Sequence, residues 1–253
     1  MAQMETAAAW ARERQAPHLE QYTAFLNLPS VSTLPEHQPD IQRTAEWLAE
    51  ELRRIGMAQV DILPTPGHPM VFAEVQAADA GAPTVLVYGH YDVQPADPLD
   101  EWDTPPFDAQ VRGDYMYARG ASDMKGQVFA VVKAVEALLQ AGPPPLNIKF
   151  MIEGEEEVGS PNLQPWIEAN QDRLKCDVAL NCDTSIYSED QPSITTALRG
   201  LCYYELMVEA AEKDMHSGMF GGAVFNPLHV LGEIVAGLHD ERARVMLPGF
   251  YDD

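Results

Sequence analysis

Apolar positions along this chain recur at two periods, and the switches between them outline its elements. Between about Ala7 and Leu28, Trp10, Leu19, Tyr22, Phe25 and Leu26 fall at near-helical spacing, interrupted by Pro17. A second helical stripe runs through Ile41, Ala45, Trp47, Leu48, Leu52 and Ile55. Gly56 is placed to close it, because glycine readily takes the left-handed backbone found just after a helix. Short apolar runs follow over Gln59 to Leu63, Val71 to Val75 and Thr84 to Tyr88. The last of these, TVLVY, is β-branched and nearly continuous, as in an inner strand covered on both faces. From Ala121 to Gln140 the period is helical again, with Val128, Phe129, Val131, Val132, Val135, Leu138 and Leu139 on one broad face. The spacer AGPPP ends that helix, LNIKFMIEG supplies a buried strand, Pro161 to Asn170 begins another helix, and CDVALNCD one more strand. This alternation predicts an α/β fold with a largely parallel sheet covered by helices.

Two stretches depart from that rhythm. Val93 to Tyr117, rich in Pro, Asp and aromatic residues, reads as a long ordered surface loop followed by a short strand pair. From Ile194, ITTALRGLCYYELMVEA alternates over a longer run, with Tyr204, Leu206 and Val208 on one face, and a helix is expected from about Pro227 to His239. A domain boundary is therefore expected near Leu198. It separates a domain over 1–198 from the beginning of a smaller α+β domain over 199–253.

Composition narrows the function. Sixteen basic residues stand against 39 acidic ones, a net charge of −23, which repels nucleic acid and anionic membranes. No stretch approaches the roughly 18 consecutive apolar residues of a membrane span. The amino terminus lacks a signal-like apolar core after a basic region, so the expected address is cytoplasmic. Cys176, Cys182 and Cys202 are odd in number and not at close zinc-binding spacing, which argues against a disulfide framework.

The chemistry gathers at strand ends, where an open α/β sheet collects reactive side chains. His90 and Asp92 are two apart just beyond a strand, so continued strand geometry would send both to one face. Glu155, Glu156 and Glu157 follow a buried-looking strand, a costly place for three like charges unless a cation neutralises them. Asp123 follows a glycine-rich turn and also suits the N-cap of a helix, and Asp183 repeats the strand-end position. Carboxylate oxygen with imidazole nitrogen suits zinc or manganese better than copper or an iron–sulfur centre. A glutamate left free of metal would serve as a base, and the set describes amide hydrolysis better than redox or group transfer. Dinucleotide, P-loop and GxSxG serine signatures are absent. His216-Ser217-Gly218 lacks the strand-to-helix setting of a nucleophile.

Taken in order, VLVYGHYDVQP, EWDTPPF, YARGASDMKG, EGEEEVGSP, NCD, KDMHSGMFGG, NPLHVL and LPGFYDD resemble the M20 family of dinuclear metallopeptidases, and its carnosinase-like and cytosolic nonspecific dipeptidase branch in particular. The resemblance implies two divalent ions, zinc or manganese, and cleavage of dipeptides or short peptides by a metal-activated water. On it, His90 ligates one ion, Asp123 bridges both, Glu157 binds the second and Asp183 completes the shell of the first. Glu156 is the general base, and Asp92 orients His90. Asp123-Met124 matches a position where relatives often have a cis peptide bond. His216 matches a histidine of the smaller, lid or dimerisation domain that reaches the partner's active site in homodimeric relatives. The resemblance also implies nearly twice this length, with a return segment bearing a last metal-binding histidine. The chain is accordingly expected to be an amino-terminal fragment, inactive or nearly so alone unless a complementary carboxyl-terminal chain completes it. The alternatives are an N-acyl amino acid deacylase of the same fold and a non-catalytic metal-binding relative.

Overall fold

Two helices open the chain, α1 (Ala2–Arg12) and α2 (Gln15–Leu26). The break falls at Glu13 and Arg14. Pro17 sits in the first turn of α2, where a missing N–H leaves no intrahelical bond unmade. The third helix, α3 (Gln38–Ile55), buries the stripe Ile41, Ala45, Leu48, Leu52 and Ile55 and ends at Gly56, whose φ of 103° is the left-handed conformation expected of it. The strands β1 (Gln59–Leu63), β2 (Met70–Val75) and β3 (Thr84–His90) follow. A surface loop then leads to a separate hairpin of β4 (Gln110–Arg112) and β5 (Tyr115–Tyr117). Next come α4 (Lys125–Gln140), β6 (Asn147–Glu153), α5 (Leu163–Ala169), α6 (Gln171–Leu174) and β7 (Val178–Asn181). This computed structural model describes residues 2–188, 190–191 and 193–252, which fall into two units, Met1–Ser193 and Ile194–Asp253.

The sheet runs β1-β2-β6-β3-β7 and is mixed. β3 is parallel to both β6 and β7, as the crossover through α4 requires, whereas β2 is antiparallel to both β1 and β6. Periodicity reports which residues face the core and not which way a strand runs, so the antiparallel half was invisible in it. The parallel half places the carboxyl ends of β3, β6 and β7 along one rim. Phe25, Leu48, Leu52, Val71, Val87, Val128, Val132, Phe150 and Ile152 belong to the larger core layer. The other face packs Met70, Phe72, Leu86 and Met151 on Trp166 and Leu174. β6 feeds both layers through its alternation, Phe150 and Ile152 to one and Met151 to the other. β7 lies at the end of the sheet with all four residues exposed.

Among the described residues of the second unit, α7 (Ser217–Phe220) and α8 (Pro227–Gly237) are the helices, and Asn226 caps α8 by accepting the Leu228 amide at 3.0 Å. The alternating run beginning at Ile194 forms no strand over 194–211. Leu198, Leu201 and Tyr203 along it are exposed. Alternation alone does not hold a strand, which depends on cross-strand partners. Among the described residues no helix is long and apolar enough to cross a membrane.

Candidate metal centre

β3 delivers His90 to the sheet rim with its side chain fully buried. Its Nδ1 lies 3.0 Å from the main-chain oxygen of Asp92 and 3.3 Å from Asp92 Oδ1. In the neutral ring, with Nδ1–H directed at those oxygens, Nε2 carries the lone pair. Nε2 is buried and, among the described residues, has no hydrogen-bond partner. Three carboxylates face it: Asp123 Oδ1 at 3.3 Å, Asp183 Oδ2 at 3.5 Å and Glu156 Oε2 at 3.9 Å.

Asp92 does more than orient the histidine. Its buried carboxylate also accepts the amides of Glu156 at 3.2 Å and Glu157 at 3.1 Å, fixing the 3-10 turn Glu156–Val158 to the exit of β3. The three glutamates therefore part company. Both oxygens of buried Glu155 accept from Asn162 Nδ2, at 3.0 and 2.9 Å, leaving it in a supporting role. Glu156 turns toward His90. Glu157 Oε2 accepts from Gln94 Nε2 at 2.7 Å, and the same amide group reaches the Glu157 main-chain oxygen at 3.2 Å. His90, Asp123 and Glu157 each offer a ligand atom within 4.8 Å of the others'. Asp183, just past β7, faces the same imidazole nitrogen from outside that tight group of three.

Asp123 is not an N-cap. It lies in the turn before α4, the helix is preceded by Met124, and no side chain caps it. Its carboxylate, 64% exposed, faces His90 instead. The Asp123-Met124 peptide is not cis; the cis bond among the described residues is Asp97-Pro98. Two participants escaped the sequence reading. Gln94 sits in the proline-rich loop, and Glu153 is paired in register with His90 across β3 and β6. Glu153 Oε1 accepts Tyr88 Oη–H at 2.6 Å and Ser160 Oγ–H at 2.9 Å. For Glu153 the signal was present: it occupies the inward-facing register of a buried strand.

Electrostatics reflect the crowding. Burial works against a charge on His90, but the hydrogen bond and charge of Asp92, followed by Glu156 and Asp183, outweigh it and raise its pKa to about 9. Glu156 and Glu157 are both pushed upward, chiefly by burial and then by neighbouring carboxylates. A buried unpartnered imidazole nitrogen surrounded by carboxylates is the donor set that a divalent cation completes, so these residues fit a metal. Burial raises the Cys182 thiol, which disfavours it as a thiolate ligand. His216 belongs to the second unit, where its Nδ1 accepts the Gly218 amide at 3.0 Å at the start of α7.

Comparisons with known proteins agree with the geometry. The model of peptidase family M20/M25/M40 matches residues 86–235. The human Beta-Ala-His dipeptidase is 36% identical over 237 residues, covering 88% of this chain and 46% of that protein. The Cys-Gly metallodipeptidase dug1 of Schizosaccharomyces pombe is 34% identical, covering 90% of this chain and 50% of the other. Among solved structures, the M20 family metallo-carboxypeptidase Sso-CP2 from Sulfolobus solfataricus superposes with a TM-score of 0.81 at 39% identity, over 93% of this chain and 53% of that one. The chain spans about half the length of the relatives it matches.

Proposed function

We propose, from the premise that this chain belongs to the M20/M25/M40 peptidase family, that the protein is a metal-dependent hydrolase cleaving the peptide bond of dipeptides or short peptides. The observation that carries this reading is the buried, unpartnered Nε2 of His90 facing Asp123, Asp183 and Glu156. His90, Asp123, Glu157 and Asp183 would hold two divalent ions, zinc or manganese. Bound there, divalent metal supplies Lewis acidity toward the scissile carbonyl and makes water acidic enough to attack near neutral pH.

This chain's own residues do the rest. Asp92 holds His90 with Nε2 free and, through the two amides, sets where Glu156 and Glu157 stand. Glu156 takes the proton of the attacking water and delivers it to the departing amine. Its upward-shifted pKa suits a group that must both accept and release a proton. His216 is assigned to the substrate or the developing oxyanion, reaching it across a homodimer. The names of the relatives, a Beta-Ala-His dipeptidase, a Cys-Gly metallodipeptidase and a metallo-carboxypeptidase, share release of a residue with a free carboxylate, and that is the substrate end we assign. A cytoplasmic address is part of this reading; among the described residues no helix is long and apolar enough to cross a membrane.

The test uses the polypeptide as it occurs in the cell, loaded with manganese or zinc and offered β-Ala-His, Cys-Gly and their amidated forms. Hydrolysis of the free dipeptides is expected, with Glu156→Gln lowering kcat by several orders of magnitude while metal content is unchanged. Metal-loaded protein that cleaves none of them, or a Glu156→Gln variant that cleaves normally, refutes the assignment.

A further inference from the structure

The stretch that follows α2 touches both halves of the metal centre. Ser30 Oγ–H donates to the Tyr91 main-chain oxygen at 2.7 Å, and the Val93 amide returns to the Ser30 main-chain oxygen at 2.9 Å. Val31 pairs with Val93 as a parallel bridge. These bonds hold the segment that carries His90 and Asp92. From the other side, Lys125, whose side chain is fully buried, donates Nζ–H to the main-chain oxygens of Leu28 at 2.6 Å and Phe25 at 3.2 Å. One turn earlier in α2, Tyr22 Oη–H donates to the Ala121 main-chain oxygen at 2.7 Å. Ala121 and Lys125 flank Asp123, so the turn presenting that carboxylate is tied at both ends to α2 and its exit.

Space around the turn is tight enough for these ties to set position. A Cβ on Gly126 would stand 2.1 Å from the Ala121 main-chain oxygen and 2.7 Å from Tyr22 Oη. At Gly120, with φ of 83°, a Cβ would meet Val93 Cγ1 at 2.6 Å. The turn can neither lift from α2 nor slide along it without breaking contacts. The buried Lys125 amine is hydrogen-bonded to both the Leu28 and the Phe25 oxygens, as a buried polar group must be if its desolvation is to be offset.

We propose that Lys125 and Tyr22, acting through the α2 exit at Phe25–Val31, are positioning residues for the metal centre that fix the Asp123 carboxylate relative to His90. Neither touches the reacting atoms. The proposal rests on the metal-site reading above, and it gives α2 a role beyond packing.

The test compares Lys125→Met, which keeps length and removes the ammonium, with Val132→Ala, a core truncation in α4 away from the site. Manganese and zinc affinities are measured by chelator competition, cobalt(II) is substituted to record its visible absorption, and thermal unfolding gives stability. Lys125→Met is expected to lower affinity about 10- to 100-fold and to alter the cobalt spectrum. Val132→Ala, at a comparable loss of Tm, should leave both unchanged. A Lys125→Met protein with the parent's affinity and spectrum overturns the proposal. If that variant fails to fold, Tyr22→Phe, which deletes one hydrogen bond, is read by the same two measurements: weaker binding with an altered spectrum supports the proposal, and parental values overturn it. A parent protein that binds neither manganese nor zinc removes the metal reading itself and this proposal with it, a result distinguishable from parental binding that the substitutions leave intact.

Discussion

At the residue scale, one buried carboxylate does the work of several. Asp92 meets His90 Nδ1 on one side and two glutamate amides on the other, so its substitution disturbs an imidazole and both acids together. Asp92→Asn presents an NH2 group where an acceptor is required. Affinity for manganese or zinc is expected to fall about 10- to 100-fold, measurable by chelator competition, although the residue is not a ligand. A residue-scale prediction for stability lies at Gly154, just past β6. A Cβ there would stand 2.5 Å from the buried ring of Tyr91, whose hydroxyl donates to the Pro69 main-chain oxygen at 2.7 Å. Gly154→Ala is expected to cost about 1–3 kcal/mol in urea unfolding, because the ring must shift off its acceptor.

At the element scale, α2, α3 and α4 are joined by an ionic cluster under the helical layer. Lys133 contacts Glu51 and, at 2.9 Å, Glu136; Arg54 reaches the same two acids at 2.6 and 2.8 Å; and His18 stands 3.8 Å from Glu136. Lys133→Met leaves the two buried carboxylates to Arg54 and is expected to destabilise by about 1–3 kcal/mol in urea unfolding. Burial, then the charge of Lys133, holds His18 below its usual pKa of 6.5. The unfolded chain therefore binds that proton more readily than the folded one. Stability is lost as pH falls from 6.5 toward the lower folded value, and His18→Gln should flatten that part of a stability–pH curve.

Much of this element plan was legible from the sequence. TVLVY and NIKFMI became strands because continuous apolar runs bury well on two faces, VALN became a strand at the end of the sheet with its residues exposed, and Gly56 closed α3 as its conformational freedom suggests. What the local pattern left open has a common cause. Strand direction, the absence of a ladder over 194–211, the division of labour among Glu155, Glu156 and Glu157, and the second grip of Asp92 all depend on segments distant in the chain. Local period and composition do not encode those partners. The candidate ligands could be named from strand ends, but Gln94, which holds Glu157 across 63 residues of sequence, emerged only from the folded structure.

At the scale of the whole chain, the candidate ligands come from four separate segments, one of them the end of β3, so the site exists only when the sheet does. Metal that binds the folded chain and not the unfolded one must stabilise it, by about 4 kcal/mol at a free concentration of about 1,000 times Kd. Manganese or zinc should raise Tm, and a chelator should reverse the rise. With a net charge of −23, added salt alone should also raise Tm by screening self-repulsion, so the metal comparison is made at constant ionic strength.

The place of β7 at the end of the sheet gives this linkage a local form. β7 is hydrogen-bonded to β3 on one flank, its residues are exposed, and it leads directly to Asp183. Such a strand opens at lower free energy than β6, which is held on both sides. Each opening would withdraw the Asp183 carboxylate from His90. Fraying of the strand and residence of an ion then become two readings of one equilibrium. In hydrogen exchange, the amides of Val178–Asn181 should exchange faster than those of β6 and slow on addition of zinc by a larger factor than any other strand.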